Sequence, residues 1–233
     1  MTEEESQKSN EAKKFIKKNP KLVIGKFVDE KVNIFVPEPV TLFMAGSPGA
    51  GKTEVSKRLI EIFPEKSPVR IDADEIRSIV PGYTGANSYI FQAAATKGVN
   101  ILYDYVLHKG ISAILDGTFA YPEVSKNIFR SLDRKREVKI YYIYQEPNVA
   151  WDLAKKREVV EHRYVSREVF INAFVMAREN VNMVKKEFGD RIELNMIVKN
   201  FTIDTEQIFS DVQTVDENMP KVYNIAELER IIL

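Results

Sequence analysis

The sequence predicts an α/β domain in which a parallel sheet of five strands is flanked by helices and carries a small lid. Three observations lead there. From Val40 onward, apolar β-rich runs alternate with amphipathic helical stretches, the pattern of successive βαβ units. The runs ISAIL and IYYIY are almost continuously apolar, as strands covered on both faces must be. A glycine-rich loop, Gly46-Ser-Pro-Gly-Ala-Gly51-Lys52-Thr53, stands between an apolar run and an amphipathic one.

Size and composition narrow the classes. The 233 residues can bury a full core in one domain with an appendage. The 34 Lys and Arg balance 34 Asp and Glu, which argues against bulk binding of nucleic acid or an anionic membrane. There is no cysteine, so disulfides, thiolate metal sites and cysteine nucleophiles are excluded together. The opening MTEEESQKSNEAKKFIKKNP lacks the apolar core of a signal peptide, and no apolar run approaches the roughly 20 residues of a membrane span. A cytoplasmic protein is expected.

The elements follow in order. Residues 1–20 mix both charges and are read as a solvated helix from about Glu3 to Lys18, or as a fraying end. Lys21 to Pro39 is a lead-in packed on the domain edge, so residues 1–38 form an N-terminal segment, 39–201 the α/β domain and 202–233 a C-terminal extension packed on it. The candidate strands are Thr41–Ala45, Val69–Ala73, Ser112–Asp116, Val138–Tyr144 and Ile192–Val198. The helix after the first strand carries Val55, Leu59 and Ile62 on one face. A helix from about Asn148 to His162 precedes a long one from about Ser166 to Phe188. The long helix has Val169, Phe170, Ala173, Phe174, Ala177, Val181 and Val184 as its apolar face, and Gly189 is its natural C-terminal stop. A short final helix is expected near Ile225–Ile232.

The G-x-x-x-x-G-K-T spacing has a chemical purpose. Glycines let successive backbone N–H groups turn inward as an anion nest, to which the next helix adds its positive end. Gly46, Ser47, Gly49, Ala50, Gly51, Lys52, Thr53 and Glu54 are therefore assigned to the nucleotide, ATP. Lys52 reaches the β- and γ-phosphates, and the Thr53 hydroxyl ligates Mg²⁺. A chance match in a glycine-rich turn is the alternative, and the strand–loop–helix context speaks against it.

Transfer of the γ-phosphoryl group to an alcohol needs a carboxylate to take the hydroxyl proton. The second strand ends IDADEIR, and alternate residues share a face, so Asp72 and Asp74 can both enter the cleft at the C-terminal edge of the sheet. Asp74 lies further out, where an acceptor would sit; Asp72 is nearer the metal. The competing reading is that Asp72 merely ends the strand and Asp74 caps a helix beginning at Glu75. At the end of the third strand, ILDGT, Asp116 and Thr118 emerge at the same edge, to bind acceptor hydroxyls or water on the metal; Asp116 serving only Mg²⁺, or simply ending the strand, is the alternative. Arg157 and Arg163, within a lid at about 150–168, are read either as guanidinium groups that close on the γ-phosphate or as solvated helix-surface arginines. His108 and His162 form no cluster and receive no metal or catalytic role.

These pieces resemble the zeta-toxin family of P-loop kinases over about Pro39 to Phe201, through GSPGAGKT, RIDADEIRSIVPGY, KGISAILDGT and the two arginines after YYIYQEPNVAWDLAKKRE. The resemblance implies a strand order of 2-3-1-4-5. It implies phosphorylation of UDP-N-acetylglucosamine or a related nucleotide-sugar, and action as the toxin of a pair with a neutralising antitoxin. By residue, it makes Lys52 and Thr53 the ATP and Mg²⁺ pair, Asp74 the base, and Arg157 and Arg163 the lid arginines. Asp116, Thr118 and Asn100 then belong to the acceptor. Two features depart from the family. Asp116 stands for a glutamate in a turn whose later arginine is here Ala120, and Asn100 replaces an acceptor-binding acid. Two competing readings remain at this stage: another small-molecule or polynucleotide kinase, and a regulatory module that binds ATP and needs no acceptor base.

Overall fold

The computed structural model describes residues 1–63, 67–161, 164–200 and 205–233. Five parallel strands, β1 (Val40–Ala45), β2 (Val69–Asp72), β3 (Ala113–Asp116), β4 (Glu137–Tyr144) and β5 (Glu193–Asn200), form one sheet. A sixth strand, β6 (Thr205–Phe209), joins antiparallel to β5, giving the order β2-β3-β1-β4-β5-β6. The first five strands stand as the resemblance implied, and the count of five is corrected to six. The short TEQIF segment carries three polar residues and exposes Ile208, so its membership depends on the neighbouring strand rather than on its own pattern.

Alternate residues of β1 face opposite ways, into two separate apolar layers. Leu42 and Met44 of β1 pack with Ile114, Ile143 and Ile197 against Val55 and Leu59 of helix α3 (Lys52–Ile62). Phe43 and Ala45 face the other way, into a larger core. That core is built with α5 (Gln92–Lys109), α6 (Val124–Leu132) and α8 (Arg167–Phe188), and also takes in α1 (Glu3–Lys18), α2 (Pro20–Phe27) and α9 (Ile225–Ile231). All six residues of β1 are buried, as a central strand covered on both faces requires.

Three expectations about packing change. Helix α1 spans the expected residues but is not wholly solvated: Ala12 and Ile16, one turn apart, are buried, and the helix lies along α5. A Thr2–Glu5 capping box starts it, which opposes fraying. Ile62 is exposed, because the last turn of α3 closes on the sheet through Ile60 and Phe63 instead. Val169 is exposed in the first turn of α8, while the rest of that helix's expected face, from Phe170 to Val184, is buried. No helix among the described residues is long and apolar enough to cross a membrane.

Candidate active site

The loop of residues 46–51 leaves the C-terminal end of β1 and runs straight into α3. Gly46, Gly49 and Gly51 all have positive φ (133°, 75° and 91°), the conformations in which backbone amides turn inward around an anion. Ser47 and Ala50 are buried, and Lys52 folds back so that its Nζ donates to the Ser47 carbonyl at 2.7 Å. Glu54, exposed, accepts at 2.7 Å from Lys199 Nζ, a buried lysine near the end of β5 that also pairs with Glu206 at 3.1 Å. Gly46 N donates to Thr118 O at 3.1 Å, joining the loop to the turn after β3.

The carboxylates gather at the same edge of the sheet. Asp72 and Asp116 are paired in register on adjacent strands. Asp116 is buried, and its Oδ2 accepts from Ser56 Oγ of α3 at 2.8 Å and from Arg70 Nε and Nη2 at 2.9 and 2.7 Å. Arg70 Nη2 also donates to Asp72 Oδ2 at 2.6 Å, and Nη1 pairs with Glu75. Asp72 caps the short helix α4 (Ala73–Ser78), its Oδ1 accepting from Asp74 N at 2.8 Å. The cap is thus Asp72 and not Asp74, and the helix starts two residues earlier than the competing reading supposed. Asp74, freed from that task, pairs with Arg77, whose second amino group bonds Gln92 of α5. Burial, together with the charges of Asp74 and Asp116, pushes the Asp72 carboxyl up to about 6 despite Arg70.

The remaining assigned residues are more dispersed. Thr118 is half-buried beside the left-handed Phe119 (φ 61°). Asn100 is half-buried in α5. Arg157 is exposed on α7 (Pro147–Glu161), and Arg163 lies outside the described residues. Sequence reasoning missed Arg70, Ser56, Arg77 and Lys199. A signal existed for two of them. Arg70 precedes Asp72 by two, and so shares its strand face, while Arg77 follows Asp74 by three, and so shares its helix face.

Residues suited to a divalent cation are present. Thr53 lies in the first turn of α3, one turn before the Ser56 that touches Asp116, and Asp72 stands opposite Asp116 at the end of the neighbouring strand. Among the described residues no cluster of three or more acidic or histidine side chains forms a metal cage.

The zeta toxin family profile matches residues 27–224. The chain belongs to the zeta toxin family. As a zeta toxin family member it is an ATP-dependent kinase. No curated protein matches it. Among solved structures, one from the PezAT chromosomal toxin–antitoxin system of Streptococcus pneumoniae is similar at a TM-score of 0.63 and 15% identity, covering 99% of this chain and 88% of that one. The native AvrRxo1-ORF1:-ORF2 complex is similar at 0.61 and 15% identity, over 84% of this chain and 64% of that one. The same complex with ATP is similar at 0.62 and 14% identity, over 97% and 70%. At such identities these likenesses establish the fold, which is the P-loop kinase fold.

Proposed function

We propose that this zeta toxin family kinase transfers the γ-phosphoryl group of ATP to a sugar hydroxyl of UDP-N-acetylglucosamine or a related nucleotide-sugar, as the toxin of a toxin–antitoxin pair. The observation that carries the reading is the side-by-side placement of the loop 46–51 and the Asp72–Asp74–Asp116 edge, joined through Ser56 and through the Gly46–Thr118 backbone bond. The family resemblance supplies the acceptor class. Solved relatives in toxin–antitoxin complexes support an antitoxin partner.

In this mechanism the loop amides, the N-terminus of α3 and Lys52 hold the triphosphate. Mg²⁺ held by Thr53 and Asp72 would neutralise phosphate charge. Asp116, Thr118 and Asn100 orient the acceptor sugar. Its hydroxyl oxygen forms a bond to the γ-phosphorus as the bond to the β-phosphate oxygen breaks. The hydroxyl proton passes to the Asp74 carboxylate, and ADP leaves. Arg157 and Arg163 offset charge at the γ-phosphate and exclude water, so that the alcohol is preferred over hydrolysis. Arg77, anchored in turn to Gln92, keeps Asp74 from turning away.

The test is mass spectrometry of UDP-N-acetylglucosamine after incubation with ATP and Mg²⁺. A gain of one phosphoryl group on the sugar nucleotide is expected, with Asp74→Asn losing about 100-fold or more in rate while still binding ATP. ATP turnover without that product would reject the acceptor and point to Asn100, Asp116 and Ala120, where this chain departs from the family.

A further inference from the structure

We infer that Arg70 is a positioning residue of the phosphoryl-transfer site: through Asp72 it sets the first turn of α4, and with it the side chain of Asp74. The inference rests on the reading of Asp74 as the base.

The geometry is a chain of fixed groups. Arg70 and Asp72 point to the same face of β2, and Asp72 stands opposite Asp116 in the parallel register. Two carboxylates at neighbouring strand ends repel in a buried setting unless a cation stands between them. Arg70, with only 11% of its side chain exposed, is that cation: one amino group, Nη2, lies 2.6 Å from Asp72 Oδ2 and 2.7 Å from Asp116 Oδ2. Its Nε bonds Asp116 again and approaches Ser56 Oγ at 3.1 Å. Arg70 therefore ties the ends of β2 and β3 to the helix that leaves the nucleotide loop.

The two oxygens of Asp72 have separate partners. Oδ2 is held by Arg70, and Oδ1 caps α4 at the amide of Asp74. A carboxylate is planar, so fixing Oδ2 fixes where Oδ1 points. Release of Oδ2 would let Asp72 rotate, lose the cap and shift the turn that carries Asp74. Displacements of that size at a reacting group cost up to about 100-fold in rate. Only a planar, multi-donor guanidinium can serve Asp72, Asp116, Glu75 and Ser56 together; an ammonium cannot.

The experiment compares Arg70→Met, Arg70→Lys, Asp72→Ala and the Arg70→Met/Asp72→Ala double variant with the wild type. It reads kcat per folded molecule, KM for ATP, and hydrogen exchange of peptides covering α4. For Arg70→Met the expected result is a kcat lowered about 10- to 100-fold, KM for ATP within about twofold, and faster exchange in the first turn of α4 with β4 unchanged. Arg70→Lys keeps the charge but not the fork and should fall between Arg70→Met and wild type. The double variant should be no slower than the worse single variant, because both act through one carboxylate. If Arg70→Met does not fold, Arg70→Lys alone decides, with about a fivefold or larger loss of kcat and faster α4 exchange expected. Wild-type kcat and α4 exchange in either folded variant would overturn the inference. So would losses of kcat that multiply in full in the double variant. If the wild type phosphorylates no nucleotide-sugar, the acceptor reading fails, and the exchange of α4 still decides whether Arg70 positions it.

Discussion

The backbone amide of Gly46 donates to the carbonyl of Thr118 at 3.1 Å, so the first residue of the nucleotide loop and the turn after β3 are one piece of backbone structure. That turn contains Phe119 in a left-handed conformation (φ 61°), a costly state for a residue with a Cβ. Its ring is buried edge-on against Phe43 and Tyr121, at 5.7 and 6.0 Å between centroids. Asn180 of α8, itself buried, donates Nδ2 to Phe119 O at 2.8 Å and to Tyr121 O at 3.2 Å.

Asn180→Leu therefore removes both bonds and leaves two carbonyls in the core without that donor. A loss of about 2–4 kcal/mol in urea unfolding is expected. A change below about 0.5 kcal/mol would mean that ring packing alone holds the turn.

Gly49 has a second reason to be glycine besides its φ of 75°. A Cβ there would stand 2.0 Å from Ala150 O and 2.9 Å from Ala154 N, both backbone atoms of α7. Backbone cannot swing aside as a side chain can. Gly49→Ala should weaken ATP binding at least about tenfold in calorimetry, through displacement of the loop from α7. Unchanged affinity would show that the loop can move without losing its nest.

Asp72 makes stability depend on pH. Its folded-state carboxyl sits at about 6 against an ordinary 3.8, so the native state holds the proton more tightly than the unfolded chain. Stability from this group falls as pH rises between those values and stays lower above them. Asp72→Asn keeps an N-cap side chain and removes the titration. The stability of the variant relative to wild type should rise by about 1–3 kcal/mol between pH 4 and pH 7.5. Equal effects at both pH values would show that the carboxylate is not crowded in solution.

Helix α1 lies outside the residues matched by the family profile, yet Ile16 is fully buried in the same core as Ile76, Leu102 and Val106. Ile16→Ala should cost about 2–4 kcal/mol, as a buried aliphatic truncation does. A negligible change in Tm would make α1 a separable appendage.

Much of this was legible in the chain because the governing physics is local. The apolar period along KTEVSKRLIEI, the apolar run IYYIY and the spacing of Gly46, Gly51 and Lys52 each act within a few neighbours. Thr2 and Glu5 start α1 by the same short-range means. Errors arose where a residue's fate depends on a distant segment. Ile62 and Val169 satisfy the helical period, but they sit in the final and first turns of their helices, where the tertiary packing leaves them exposed. β6 is a strand because the edge of β5 offers unpaired backbone groups.

The site divides along the same line. By itself the sequence determined the strand–loop–helix that receives a phosphate and the presence of carboxylates at strand ends, since backbone conformation and side-chain alternation follow from adjacent residues. Only the tertiary structure decided how those carboxylates share their charge. Ser56, Arg70, Asp72 and Asp116 come from α3, β2 and β3, and their hydrogen bonds exist only once the strands are in register. Electrostatic contacts depend on separation in space and on burial, and neither is encoded in the spacing of any single segment.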